Sequence, residues 1–511
     1  MTQVRETDRP ATTAPELGVL RDLFERLHAE RIRYCHWKSN EHLDASMTGA
    51  TDVDVLIDRS AMVAFTRILG ETNFKRFVVK PGRGYPGIED YVGFDVKTGT
   101  LTHLHVHYQL TLGEKFLKGH RLPWEAVYLD TRVWDEQHGI YVTDPNLESI
   151  VLVVRAVMKL RARDHVLEAM GKPYFRGGML RELRWLADRV EPQRLLQLGS
   201  RLVGEQAACL LPQMLAVAQP SIRQLRAFRR CAAPGLHEYL LYGRLDAVRR
   251  MTMREWGIIW WKLRNWLLGA PTKSTRTLPQ GGLFVAFLGA DGAGKSTLTR
   301  QIAEWLSSEV AVVTTYGGSG KGTASLPRRI LQDIARFRRR LARTTTPPTD
   351  GRHCPDQEPS RLRALGRLVW VLTLTRERRR RATQVWRARG RAMIVLSDRL
   401  PQRQFVGLND GPQLAQGLNG RPGLRRALAR REEAAFRRAE LTPPDLVVKL
   451  HVSTEVAWQR RPETPAELLR TGIQVVRELQ FPPTTRVVDM DAEQPLAEVL
   501  LQVKRAIWEC I

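Results

Sequence analysis

The densest chemistry in this chain of 511 residues lies in the stretch 289–297, which reads GADGAGKST and follows an unbroken apolar run over 283–288. Gly289, Gly294, Lys295 and Ser296 stand at the spacing of a loop that wraps polyphosphate. Glycines at 289, 292 and 294 permit a tight turn. The amides of that turn, with those of Ala293 and Thr297 at the start of a helix, form a nest for an anion. In such a loop Lys295 reaches the β- and γ-phosphates of a nucleotide and the Ser296 hydroxyl ligates Mg²⁺. The flanks suit the motif, because 283–288 is a β-type run while Leu298, Ile302 and Trp305 recur at helical spacing. A nucleotide, ATP or GTP, is therefore the expected ligand, and ATP with Mg²⁺ the expected pair.

The elements that must position these groups follow in order. Four more apolar segments, 310–316, 392–398, 445–452 and 485–491, alternate with helical patterns, which predicts a five-stranded parallel sheet with helices on both faces. Ligands of such sheets sit beyond the carboxyl ends of the strands. The glycine loop over 317–322, with Gly317 and Lys321, follows the second strand and suits an anionic acceptor. Asp398 and Arg399 follow the third, where a carboxylate can meet the Mg²⁺ shell and a guanidinium can grip phosphate, although the two could equally form an ion pair. Arg460 and Arg461 fall at the far end of a helix capped by Ser453, placed either as a lid over a phosphoryl group or on a solvated face.

Upstream, Asp52 and Asp54 alternate with valines, so both carboxylates project from one strand face. Two carboxylates on one face repel unless a cation lies between them, which makes Mg²⁺ a candidate there. His103, His105 and His107 alternate in the same way further on.

Two family resemblances follow from these residues. The order strand, Lys38-Ser39, helix, Asp52-x-Asp54 resembles the polymerase-β type of nucleotidyltransferase over about 16–145. That resemblance implies a third metal-holding acid on a neighbouring strand, where this sequence offers His105 and His107, or Asp95. The loop 289–297, Ser397-Asp398-Arg399, the strand 445–452 with Glu455, and Asp489 and Asp491 before the last helix look like thymidylate kinase over about 281–511. This likeness implies phosphoryl transfer from ATP to a nucleoside monophosphate, with Lys295, Asp398, Arg399, Arg460 and Arg461 catalytic and Asp291 contacting the acceptor. Leu400 replaces the aromatic residue usual after Asp-Arg, and an Arg-Glu-Pro-Gly segment is missing, so the acceptor need not be thymidine monophosphate.

The expected organisation is a multidomain α/β protein. It comprises a disordered tail (1–15), an α+β nucleotidyltransferase-like domain (16–145), a helical middle domain (146–270), a linker (271–282) and the phosphate-loop domain (283–511), with a basic insert at about 326–390. Five cysteines without a CxxC pair argue against a disulfide framework or zinc ribbon and for a reducing, cytoplasmic setting. The polar N-terminus lacks the apolar core of a leader. The nearest approach to a membrane span, 256–270, is broken by Lys262, Arg264 and Asn265, and its tryptophans suit a packed inter-domain helix or an interfacial one.

The formal charge is +26, and residues 321–391 hold 20 Lys/Arg against 5 Asp/Glu. Such a field suits small phosphorylated substrates or nucleic acid, while arginines on solvated helix faces account for it equally well. A dimer is compatible with these features. Two rival functions share the motifs: a bifunctional enzyme led by nucleotidyl transfer at Asp52 and Asp54, and a non-catalytic, nucleotide-gated regulator that binds polyanions through the insert.

Overall fold

Side-chain alternation along short strands builds the first of the two units into which the chain divides, Met1–Pro271 and Thr272–Ile511. The computed structural model describes residues 15–79, 84–113, 118–217, 219–268, 276–318, 361–414 and 423–511. The tail up to residue 14, Lys321, the first part of the linker and the first part of the basic insert therefore lie outside the described residues.

In the first unit β1 (Tyr34–His36), β2 (Val53–Ile57), β3 (Phe74–Val79), β4 (Ile88–Phe94), β5 (Leu101–His107), β8 (Val133–Asp135) and β9 (Ile140–Val142) form a mixed sheet in the order β3-β4-β5-β2-β1-β9-β8. Two shorter strands, β6 (Leu110–Leu112) and β7 (His120–Leu122), pair separately. Tyr34, Val53, Val55, Ile57, Leu104 and Val106 share one core with the helices Gly18–Ala29 and Met62–Glu71. Both helices present apolar residues three or four apart, such as Leu20, Leu23, Phe24 and Leu27 in the first.

Cys35 and Leu56, one residue out of phase, pack into the opposite core with Trp37 and the helix Pro145–Lys159. The helices after residue 145 thus complete this core together with strand residues, and belong to the same compact unit. Because Asp54 has the parity of Leu56, and His105 and His107 are their register partners, the pleat keeps them off the Val53 and Val55 face. Along the helix Arg244–Leu268, Trp256 is 71% and Trp260 67% exposed. No helix among the described residues is long and apolar enough to cross a membrane.

In the second unit a two-residue strand, β10 (Arg276–Thr277), precedes a wholly parallel sheet. Its strands are β11 (Phe284–Gly289), β12 (Val312–Tyr316), β13 (Ile394–Asp398), β14 (Leu446–His451) and β15 (Arg486–Asp491), in the order β12-β13-β11-β14-β15. These strands lie within one or two residues of the boundaries expected from the apolar segments. The helix Arg361–Arg389 packs Val385 and Ala388 against Phe284 and Val395. The helix Ala466–Glu478 packs Val475 and Val476 against Ala286, Leu288 and Val447.

Part of the basic insert is spent inside this fold. Arg389 donates to Asp445 at 2.7 Å and to the carbonyls of Pro443 and Gly282. Arg378 meets Glu432 at 3.3 Å with both side chains at most 3% exposed, stacks 4.2 Å from the Phe436 ring, and leaves Glu432 to accept the amides of Gln413 and Leu414. Removing one partner of so buried a pair strands the other charge. Arg378→Ala is expected to lower the stability of this unit by about 3–5 kcal/mol, read from its urea transition, and Arg378→Met with Glu432→Gln, which keeps an acceptor for the two amides, to recover most of it. Equal losses in the single and double variants would mean that packing, not charge, carries the contact.

Candidate functional site

The glycine loop joins the end of β11 to the helix Lys295–Ser307, whose Leu298, Ile302 and Leu306 face the core. Leu306, not Trp305, completes that apolar face. Gly292 and Gly294 have φ of 89° and 84°, a region that side chains disfavour. A side chain at 292 would also come within 2.8 Å of the Ala457 carbonyl, and one at 289 within 2.9 Å of the Ala293 side chain.

The curl so formed brings Lys295 back onto the loop. Its ammonium donates to the carbonyls of Gly289 at 2.9 Å and Ala290 at 2.7 Å, and lies 3.9 Å from Asp291. Lys295 is 6% exposed. Burial, with Arg399 next, pushes its pKa down to about 8. Two neutral carbonyls and the carboxylates of Asp291, Asp398 and Asp410 offset only part of the cost of burying this cation.

Ser296, in the first helical turn, donates to Asp398 Oδ2 at 2.5 Å. Asp398 ends β13 in register with Phe287 of β11 and Tyr316 of β12. Its Oδ1 is buried and has no hydrogen-bond partner among the described residues. A hydroxyl beside an orphaned carboxylate oxygen is the donor set of a hard, oxygen-seeking cation.

Arg399 takes the left-handed conformation, with φ of 75°, as its amide donates to the Phe287 carbonyl at 3.1 Å. Its guanidinium pairs with Asp291 and, at 3.4 Å, with Asp410. Asp291, Lys295 and Arg399 thus lie together, and Asp398 reaches Ser296. Asp410 was not legible beforehand; the one trace of it was the turn-prone Asn409-Asp410-Gly411, whose first two residues also have positive φ.

The remaining expected residues fall differently. Arg460 donates to the carbonyls of Gly292 at 3.3 Å and Ala492 at 3.1 Å, tying its helix to the glycine loop. Arg461 instead pairs with Glu463 at the surface. Gly317 gives its amide to the Asp398 carbonyl at 2.9 Å and so braces the turn beneath Arg399, while Lys321 lies outside the described residues. Beside Ser296 and Asp398 opens a cavity of about 630 Å³, also lined by Arg300, Tyr316 and Arg381. Another, of about 230 Å³, is lined by Thr297, Leu298, Arg460, Ala492, Leu496 and Val499.

The first unit holds a second cluster. Asp54 and His105 are register partners on the adjacent parallel strands β2 and β5, with His107 two residues further along. Asp54 Oδ1 lies 3.0 Å from His105 Nδ1, 3.4 Å from His107 Nε2 and 2.8 Å from the Lys38 ammonium. Against the cost of its burial, Lys38 and then the two imidazoles hold the Asp54 carboxyl well below the usual range.

Asp52 turns to His103 at 2.9 Å, and the other nitrogen of that ring meets Asp90 at 2.8 Å. The two aspartates therefore serve different histidines. Asp95, the alternative third acid, accepts the amides of Gly18, Lys97 and Thr98 and is a structural cap. Behind Lys38, buried Glu148 accepts the backbone and side-chain N–H groups of Asn40, and burial followed by Glu182 raises its pKa to about 8.

No family model matches this chain. It is similar to a protein of Escherichia coli (strain K12) named "Uncharacterized ATP-binding protein YghR", with 27% identity over 247 residues that span 47% of this chain and 94% of that protein. It is also similar to "Uncharacterized ATP-binding protein YghS" of the same organism, 27% identical over 224 residues, 44% of this chain and 91% of that one.

The buried ammonium gives a signed expectation. Its folded pKa of about 8 lies below the unfolded value, so the unliganded fold carries the full cost below pH 8 and gains stability as pH rises toward 10.5. Lys295→Met is expected to be more stable than the parent at pH 7, by up to about 3 kcal/mol, with the gap closing by pH 10 in urea titrations. A variant no more stable at pH 7 would show that the carbonyls compensate the charge in full.

Proposed function

We propose that the unit Thr272–Ile511 is a kinase that moves the γ-phosphoryl group of ATP to a nucleoside monophosphate or a related small phosphorylated acceptor. The observation that carries this reading is the under-compensated ammonium of Lys295 inside a glycine loop, one residue from a hydroxyl bonded to the half-satisfied carboxylate of Asp398. The printed names of the two relatives support ATP as the nucleotide.

In this reading the loop amides over 292–297 and Lys295 hold the β- and γ-phosphates. The pocket lined by Leu298, Leu496 and Val499 offers apolar walls to the base, with Arg460 at its edge. Ser296 and Asp398 would hold Mg²⁺, which when bound neutralises charge on the β- and γ-oxygens.

The acceptor enters the cavity of about 630 Å³, where Arg300 and Arg381 supply cations for its own phosphate. An acceptor oxygen attacks the γ-phosphorus as the bond to the β-bridging oxygen breaks, and ADP leaves with that electron pair. Arg399, already against the glycine loop through Asp291, sits where the equatorial charge of the moving group spreads. Asp291 exchanges this guanidinium for an acceptor hydroxyl. The leucine at 400 and the missing segment after β12 leave room for an acceptor other than thymidine monophosphate.

The test is transfer of γ-labelled phosphate from ATP across a panel of mononucleotides, nucleosides and phosphorylated sugars. Lys295→Ala and Asp398→Asn are each expected to lower turnover at least 10²- to 10³-fold, with the fold retained by circular dichroism. Parent-like turnover in Lys295→Ala would defeat the assignment. Transfer of α-label instead would favour nucleotidyl transfer, and binding with neither transfer a regulator.

A further inference from the structure

We propose that Asp54, His105 and His107 form a binding site in the first unit for a divalent transition-metal ion of the Zn²⁺ or Fe²⁺ type rather than for Mg²⁺. Their ligand atoms converge, all lying within 4.8 Å of one another. Asp54 Oδ1, His105 Nδ1 and His107 Nε2 make a triangle with sides of 3.0, 3.2 and 3.4 Å. Ligands bound at about 2.0–2.1 Å in a tetrahedron stand roughly 3.3–3.4 Å apart, so the triangle is close to one face of a coordination sphere. An ion can therefore be seated by small rotations of three side chains, without moving the backbone.

The donor set decides the metal. Two imidazole nitrogens and one carboxylate suit borderline ions, whereas Mg²⁺ demands oxygen and keeps much of its water. The pair of carboxylates that would favour Mg²⁺ is split, because Asp52 is engaged with His103. The scaffold is rigid: His105 and His107 alternate along one strand, Asp54 sits on its parallel neighbour, and the His107 ring packs 4.8 Å from the Trp37 ring.

The ammonium of Lys38, 2.8 Å from the same Asp54 oxygen, is the counter-charge to be displaced when an ion enters. Once displaced it is free to pair with an anionic ligand. Lys118 contributes a second cation within electrostatic reach of Lys38 and Asp54. The position left open by three protein ligands then takes water or the oxygen of a phosphorylated molecule.

The experiment uses the full-length protein stripped with a chelator and titrated with Co²⁺, whose visible d–d absorption reports nitrogen ligation in place of zinc. One Co²⁺ per chain is expected, displaced by stoichiometric Zn²⁺ but not by a large excess of Mg²⁺. His105→Ala and Asp54→Asn should each weaken Co²⁺ binding at least about tenfold, Lys38→Met should tighten it, and Asp398→Asn should leave it unchanged. The His105 side chain is 21% exposed, so its truncation spares the sheet, and thermal melting checks each variant. Absence of the absorption bands from the parent, displacement by Mg²⁺, or parent-like affinity in His105→Ala would overturn the proposal.

Discussion

An ammonium group held in a place that cannot neutralise it governs the second unit. Lys295 bonds to two peptide carbonyls, and although Asp291, Asp398 and Asp410 oppose the shift, its burial draws its pKa down to about 8. Such a charge is tolerable only if the backbone around it is fixed by something stronger. The parallel sheet supplies that: β11 is central, with β13 and β14 bonded to its two edges, so Gly289 ends a strand with no freedom to retreat. The positive φ at Gly292 and Gly294 and the near contact with Ala457 then leave the loop a single course. The strained turn at Arg399 belongs to the same logic, since it aims a second cation at the loop from the neighbouring strand.

The first unit solves a related problem with the opposite sign. Asp52, Asp54 and Asp90 would repel one another across adjacent strands were they not interleaved with imidazoles and with Lys38. Alternation makes this arrangement possible. The same two-residue period that places Val53, Val55, Leu104 and Val106 in one core places Asp54, His105 and His107 together on the other side of the sheet. In each unit, then, polar chemistry is carried at strand positions whose neighbours in sequence are committed to the core, and local packing fixes its geometry.

This is also why much of the arrangement was legible in the sequence and some was not. Strand positions and the glycine loop follow from periodicity and from glycine's backbone freedom, which are local properties, and the strands appear where the apolar runs stand. The convergence of Asp54 with His105 depends on which strands pair, and pairing is not local: 50 residues separate partners that the register of β2 and β5 sets side by side. Asp410 is hidden for the same reason, because it reaches Arg399 only through the irregular loop that Gln402 holds by donating to the carbonyls of Phe405 and Leu408. Arg460 and Arg461 part for a local reason, because the helix ends between them: one side chain turns to the Gly292 carbonyl and the other to Glu463.

The basic charge needs the same distinction between count and placement. A field that attracts nucleic acid requires cations displayed on a surface with their charges uncompensated. Within the helix Arg361–Arg389, however, Arg378 is buried against Glu432, Arg381 donates to the Gly318 carbonyl and to Glu377, and Arg389 bridges Asp445 to Gly282, at the strand that leads into the glycine loop. These arginines fasten the helix over β11, β12 and β13, and Asp445 in turn accepts the amide of Phe284 at 2.7 Å. Arginine fits this work because its planar fork can satisfy a carboxylate and one or two carbonyls at once, which a lysine cannot. Of the excess read from composition, this part is therefore internal bracing for the strand that presents Gly289, and Arg399 beside it is likewise paired, with Asp291 and Asp410.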